Sequence, residues 1–446
     1  MKIFFDALGC PKALVDAEKM CAHLFDTGEH HAVFDPEEAD AVIVNTCGFI
    51  ESAKQESINA ILDHAELKRK NPDLILVVSG CMVARYHEEL KEEIPEIDAF
   101  IGVKDPSKIK DIFIQRKNKS MLDQGEYKDT GQSKRSLLFS GFKHAWIKIG
   151  EGCNRACGFC AIPIMRGKQR SRIEQDILDE AKMLLDQGIR ELIVITQDPV
   201  NYGTDLNNTR SLIPLLQKLE TIGFDWIRVQ YLFPDPMLIE LAELYNNSSI
   251  FCNYIDVPLQ HISANILKSM KRHGDFDSMS QLFSDIRTVN PNIALRTSFI
   301  AGYPGETDQD ANQISQFLQE VQADRVGFFT YSHEEDTISY TMDNQVPNSV
   351  AQDRVTQWAA IQQQVSTKRL KRLVGKNLIC IGEGISEEKD GEYTMSMRSE
   401  FDAPEIDGIV RVKVPKNINI ELLEMAEVKI IGSDDHDLDA IFVKEI

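Results

Sequence analysis

The chain has 446 residues, 43% hydrophobic and 27% charged, the make-up of a globular protein with a prior of about three domains. No window approaches the roughly 20 apolar residues of a membrane span, and the first ten residues break their apolar run at Asp6, so no membrane partner and a cytoplasmic location are expected. Lys and Arg number 49 against 70 Asp and Glu; the net charge of −21 disfavours a phosphate backbone as partner and suits a basic protein.

The first segment alternates strand and helix. Residues 2–5, 41–45 and 74–79 are short runs rich in Ile, Val and Leu and predict buried strands. Between them, residues 14–27 and 52–70 predict helices, the second with Ile58, Ile61, Leu62 and Ala65 on one face. Such alternation predicts an open parallel α/β domain over 1–116. Residues 117–138 are polar and aperiodic and predict a linker.

A second strand–helix series fills 139–372. Strands are predicted at 145–149, 191–196, 226–231, 253–257, 294–300 and 325–331, with helices between them. Six units are fewer than the eight of a closed barrel, so an incomplete (β/α)6 barrel is expected. A long polar helix over 350–373 follows. The tail, 373–446, changes to short strands at 378–382, 392–397, 409–414 and 427–431 broken by Gly, Asp and Pro, which predicts a small antiparallel β-barrel.

The nine cysteines are an odd number in a chain without a secretory signal, so they predict metal ligands, reactive thiols or packing residues, not disulfides. Cys153, Cys157 and Cys160 lie within eight residues, just past the first barrel strand, at the edge where barrels build active sites. Three thiolates are one short of a closed structural zinc site or a four-cysteine cluster, so a cubane held here keeps one iron open. A zinc knuckle with a distant fourth ligand is the alternative. Cys10, Cys47 and Cys81 form a second set, each just beyond a predicted strand. In an open parallel sheet those strand ends share one edge, so cysteines far apart in sequence can converge on a metal there; three buried thiols are the other reading. Cys21, Cys252 and Cys380 have no metal spacing and are read as packing residues.

The Cys153-Asn-Arg-Ala-Cys157-Gly-Phe-Cys160 spacing resembles the radical S-adenosylmethionine superfamily. The resemblance implies that the open iron takes the amino and carboxylate groups of S-adenosylmethionine. It places Phe159 beside the adenine and Gln197 and Asp198 near the methionine amino group. Arg296, Ser298 and Gly302 fall where ribose, carboxylate and adenine contacts are usual. Further motifs are Leu8-Gly9-Cys10-Pro11-Lys12, Asn45-Thr46-Cys47-Gly48, Arg166-Gly167-Lys168-Gln169-Arg170 and Asp402-Ala403-Pro404-Glu405-Ile406-Asp407. With these, nearly the whole chain is similar to the methylthiotransferases of RimO type.

That family implies two [4Fe-4S] clusters, a C-terminal barrel of TRAM type, and insertion of a methylthio group at the β-carbon of an aspartate of small-subunit ribosomal protein S-twelve. A reductant such as flavodoxin or ferredoxin is implied as partner. The alternative is the tRNA (N6-isopentenyladenosine-C2) methylthiotransferase. Residues 376–446 carry 8 Lys and Arg against 17 Asp and Glu, which argues against a grip on tRNA and for a tail that recruits a basic protein. The best counter-evidence is the basic run Lys368, Arg369, Lys371 and Arg372.

Overall fold

The computed structural model describes residues 1–26, 28–115, 119–121, 135, 139, 143–389, 392–416, 418–420 and 423–446. The first sheet holds six parallel strands: β1 (Lys2–Ala7), β2 (His31–Val33), β3 (Ala41–Thr46), β4 (Ile75–Gly80), β5 (Ala99–Ile101) and β6 (Lys119–Met121), in the order β2-β1-β3-β4-β5-β6. Helices α1 (Pro11–Phe25), α2 (Glu51–Lys70) and α3 (Cys81–Glu93) follow β1, β3 and β4. β3 is buried throughout its length, as a strand covered on both faces must be. Three short strands escape sequence reading: β2, β5 and β6 have three residues each, too few to display a period. β6 falls inside the span expected to be a linker and pairs with β5, so the sheet extends past residue 116; the remainder of that span, apart from Arg135, lies outside the described residues.

The second unit has the six expected strands: β7 (His144–Lys148), β8 (Glu191–Ile195), β9 (Trp226–Val229), β10 (Tyr254–Asp256), β11 (Ala294–Ala301) and β12 (Arg325–Thr330). They form two parallel three-stranded sheets, β9-β8-β7 and β10-β11-β12, joined by a parallel bridge between Ile227 and Phe251. The outward side chains of these strands and the inner faces of the surrounding helices make one apolar core, from Ile147 and Leu192 to Phe299 and Trp358. A short helix α4 (Ile162–Arg166) leaves the cysteine loop, and a long helix α5 (Asn348–Lys371) closes the series.

Strands β13 (Asn377–Lys389), β14 (Glu392–Ser399), β15 (Val410–Val414), β16 (Met425–Ser433) and β17 (Leu438–Glu445) close into a barrel in the order β13-β14-β15-β17-β16. The last strand is additional to the four expected, and its pairing with β15 is parallel, unlike the antiparallel remainder. The tail does not hang free. Arg398 reaches buried Glu191 at the start of β8, Arg325 pairs with Asp402, and the Tyr254 hydroxyl donates to Asp407 at 2.7 Å. Residues 398–407 thus floor the amino edge of the large barrel. Arg369 of the basic run folds onto Asp324 at 2.5 Å, so that run is only partly a free cationic face.

Candidate active site at the barrel mouth

Helix α1 places the first unit over the barrel. Its Val15 is buried with Trp146, Ile193 and Ile195, side chains of β7 and β8 on the face opposite the helix-packed core. A second clamp lies further round, where buried Glu334 accepts from Arg85 of α3 at 2.7 Å and from Lys54 of α2 at 3.1 Å.

The loop after β7 carries Cys153, Cys157 and Cys160. It is fixed by backbone bonds from Cys153 N to Gly167 O at 3.1 Å and from Gly158 N to Met270 O at 3.0 Å. Gly158 has no room for a side chain, since a Cβ there would stand 2.8 Å from the Tyr303 hydroxyl. Phe159 packs against Ile266, Met270 and Tyr303. Asp198 accepts from Arg155, inside the cysteine loop, at 2.7 Å and from Asn201 at 2.7 Å. The Gln197 amide donates to Glu151. The Gly302 N–H donates to Glu306 at 2.8 Å, and Arg354 of α5 holds that carboxylate at 2.7 Å. Ser298 is buried midway along β11, its carbonyl bonded to Gln260 N at 2.7 Å. The fold therefore gathers Phe159, Gln197, Asp198 and the turn at Gly302 around the cysteine loop. Arg296 turns elsewhere: its guanidinium is committed to Asp256 at 3.2 Å and to Asp407 of the tail at 3.3 Å.

The second set of cysteines also converges. Cys10 is the N-cap of α1, Cys47 follows β3, and Cys81 opens α3 directly after β4. Gly9 lies so close to Cys47 that a Cβ on it would be 3.1 Å from the Cys47 Cβ, and its φ of +96° suits only glycine. Cys10 stays accessible to solvent, Cys47 is half-buried and Cys81 is buried. Burial raises the Cys47 thiol to about 12 and also raises Cys81. Although Cys10 is solvent-accessible, the protein packed around it desolvates its thiolate in the same direction, yet Lys12, Arg166 and the amides of Ala13 and Lys12 bring it below an ordinary thiol. Burial likewise lifts Cys153 to about 11 and Cys160 to about 12, so a metal taken up there must displace protons.

Between the two sets runs a buried ionic network. Lys148, at the end of β7, contacts Asp16 of α1 at 2.5 Å and Glu151 at 2.6 Å. Arg166, at the end of α4, contacts the same two carboxylates at 3.0 and 2.7 Å, and its Nε donates to the Cys81 sulfur at 3.3 Å. Burial alone would raise Glu151, but Arg166 and Lys148 hold it down to about 2. Among the described residues no three His, Cys, Asp or Glu side chains surround one point closely enough for a single ion. A four-iron cubane asks for wider spacing, one thiolate to each of three irons, and an all-sulfur donor set suits iron–sulfur chemistry better than hard cations.

Comparison with known proteins agrees along the whole chain. Residues 2–102 match the Uncharacterized protein family UPF0004, 147–318 the Radical SAM superfamily and 374–443 the TRAM domain. Ribosomal protein uS12 methylthiotransferase RimO of Trichlorobacter lovleyi is 39% identical, over 100% of this chain and 98% of its own. The enzymes of that name from Clostridioides difficile and Aquifex aeolicus are 41% and 38% identical, covering 98% and 100% of both chains. This chain belongs to the RimO family. A radical S-adenosylmethionine methyltransferase, TsrM from Kitasatospora setae, shares the fold, with a TM-score of 0.54 and 14% identity over 73% of this chain and 72% of its own.

Membership in the RimO family implies a [4Fe-4S] cluster and S-adenosylmethionine for the barrel. What sequence reading missed in this RimO chain is the network. Lys148 and Glu151 flank a strand end that is otherwise apolar, and charges in a buried strand were the available signal. Among the described residues no helix is long and apolar enough to cross a membrane.

Proposed function

We propose that this chain inserts a methylthio group at the β-carbon of an aspartate of ribosomal protein uS12. Full-length identity of 38–41% to RimO enzymes supports the reaction class and the substrate. The observation that carries the mechanism is that two cysteine triads converge on one barrel mouth, joined by a shared ionic network. In this reading Cys153, Cys157 and Cys160 hold one [4Fe-4S] cluster, and Cys10, Cys47 and Cys81 hold a second, each with an iron left open. When bound, cluster and S-adenosylmethionine together supply the one-electron chemistry that an unactivated C–H bond demands.

The chain's own residues bind, orient and exclude water. Phe159, Gln197, Asp198, Ser298 and Gly302 line the place for S-adenosylmethionine, while Arg296 holds the barrel wall to the tail. Val15 and Leu14 of α1 pack on Trp146, Ile193 and Ile195 at the mouth of the barrel, and residues 398–407 close its far end, which restricts the entry of water. An electron donor of flavodoxin or ferredoxin type completes the cycle. The tRNA alternative is not favoured, because the full-length relatives are named uS12 methylthiotransferases, and Arg369 of the basic run is engaged by Asp324.

The test is anaerobic incubation of reconstituted enzyme with S-adenosylmethionine, reductant, uS12 and tRNA. The expected result is one methylthio group on an aspartate-containing peptide of uS12 and none on tRNA. Full iron, active cofactor cleavage and an unmodified uS12 would overturn the reading.

A further inference from the structure

Arg166 occupies a position that the cysteine motifs leave undefined. It ends α4, the helix that emerges from the barrel cysteine loop, yet its side chain is buried in the other triad. Helix α4 packs against the start of α3 through Ala161, Met165 and Cys81. The guanidinium lies against the Cys81 sulfur at 3.3 Å, and its charge also lowers the Cys10 thiol and, least of all, that of Cys47.

Its hydrogen bonds divide by side. Nη1 points to Asp16 and Glu151, and Nε points to the Cys81 sulfur. The remaining nitrogen, Nη2, is buried and has no hydrogen-bond partner among the described residues. A guanidinium is a rigid planar fork in which Nη2 lies on the Nε–H side and their N–H bonds run parallel. With Nε aimed at Cys81, Nη2 is aimed beside it, into the space the three thiols border. A buried donor without an acceptor is costly, so its presence here points to an acceptor that arrives with a ligand. The acceptor this fork suits is a soft anion: an inorganic sulfide of the cluster, or a sulfur carried on its open iron.

We infer that Arg166 is a positioning residue for the group held by Cys10, Cys47 and Cys81, donating Nε–H to the Cys81 sulfur and Nη2–H to an inorganic sulfur beside it. The inference rests on the reading of that triad as a cluster site. Asp16 and Glu151 hold the opposite side of the fork, so the carboxylates orient the arginine and the arginine orients the sulfur. Donors to cluster sulfurs stabilise the added electron and raise the reduction potential. Because α4 grows directly out of the loop of Cys153, Cys157 and Cys160, the same residue ties the position of one triad to that of the other.

The experiment uses the full chain with Cys153, Cys157 and Cys160 replaced by Ala, which isolates the amino-terminal site. Into it are placed Arg166→Lys, which keeps the charge and loses the fork, and Asp16→Asn, which keeps the fork and loosens its brace. Iron and sulfide content, the EPR spectrum of the reduced cluster and its midpoint potential are read, with circular dichroism as the check of folding. Arg166→Lys is expected to shift the EPR spectrum and move the midpoint to more negative potential, and Asp16→Asn to do so less. Loss of iron from a natively folded Arg166→Lys chain while Asp16→Asn keeps its load supports the same assignment. An unchanged spectrum and potential in Arg166→Lys at full iron, or equal effects of the two substitutions, overturns it. A parent chain that binds no iron overturns the cluster reading itself, a separate failure visible before either substitution is made.

Discussion

The two ends of the large barrel are both bound by buried ions, and they use them differently. At the carboxyl edge Asp16, Lys148, Glu151 and Arg166 come from three segments and lie beside the Cys81 sulfur, which accepts from Arg166 Nε. At the amino edge the ions close on one another across the boundary with the tail: Glu191 with Arg228 and Arg398, Asp402 with Arg325, Asp407 with Arg296. Two acids meet two bases in the first arrangement, and one of the bases also reaches a cysteine sulfur; the second closes on itself and shuts the barrel. Burying charge is costly in either place, because ions give up water that only good partners replace. At one edge that cost serves a site, and at the other it serves closure.

The largest contrast should come from removing the cysteines. Replacing Cys153, Cys157 and Cys160 by Ala should abolish formation of 5′-deoxyadenosine and leave about half the iron, whereas replacing Cys10, Cys47 and Cys81 should spare that cleavage and stop methylthio transfer. Iron counts and chromatography of the nucleoside product decide it; a full iron load in either triple variant refutes two separate sites.

At the amino edge the effect should be on stability. Arg398→Met leaves buried Glu191 with Arg228 and the weak Cys252 thiol contact and should cost about 3–5 kcal/mol in chemical denaturation. It also bears on the tail's role. An acidic tail predicts recruitment of a basic protein and dispensability for cofactor cleavage. The buried pairs predict instead that deleting 376–446 strips the barrel floor and lowers cofactor cleavage too. Cleavage at the full rate by a folded truncation would restore the first view.

The same edge should respond to acid. Burial, with Arg398 next to it, pushes His144 from 6.5 down to about 3. Its folded pKa is depressed, so the unfolded chain takes up a proton first as pH falls. Stability linked to His144 is complete above about 6.5 and drains by roughly 1.4 kcal/mol per pH unit below it, until about 3. Denaturant midpoints at pH 7 and pH 5 should therefore converge in His144→Gln relative to the native chain; parallel declines in the two proteins would count against this origin.

The smallest effect belongs to the tail's rim. Arg411 contacts Asp434, Asp437 and Asp439 at 2.7 to 3.0 Å, but all four side chains are a quarter to a half exposed. Arg411→Met should cost no more than about 1 kcal/mol, because water screens such pairs. A loss as large as that of Arg398→Met would erase the distinction between rim and floor.

Much of this was legible along the chain. Cys153, Cys157 and Cys160 share one loop, so their spacing alone carries the chemistry. The six barrel strands and the helix Asn348–Lys371 follow from runs long enough to show a period. Cys10, Cys47 and Cys81 could be grouped by their common place after predicted strands, since parallel strands end at one edge. Packing roles for Cys21, Cys252 and Cys380 agree with their burial. The three-residue strands β2, β5 and β6 were not legible, because each is defined by its neighbour's hydrogen bonds, and the parallel pairing of β17 with β15 is a matter of which segments meet and not of either segment's own pattern.

What the sequence by itself determined is therefore the local chemistry: which residues can be ligands, and which segments must be buried. What only the tertiary structure decided is which charge meets which. Arg166 and Asp16 are 150 residues apart, and Arg398 and Glu191 are 207. Lys148 stands out as a charge in a buried strand, but its carboxylate partner on α1 is not named by the sequence, and Asp402 and Asp407 look like turn residues until Arg325 and Arg296 arrive. Periodicity reports how a segment sits against its immediate surroundings. An ion pair between docked units depends on where two faces meet, and that is fixed only when burial of the apolar surface around them brings the faces together.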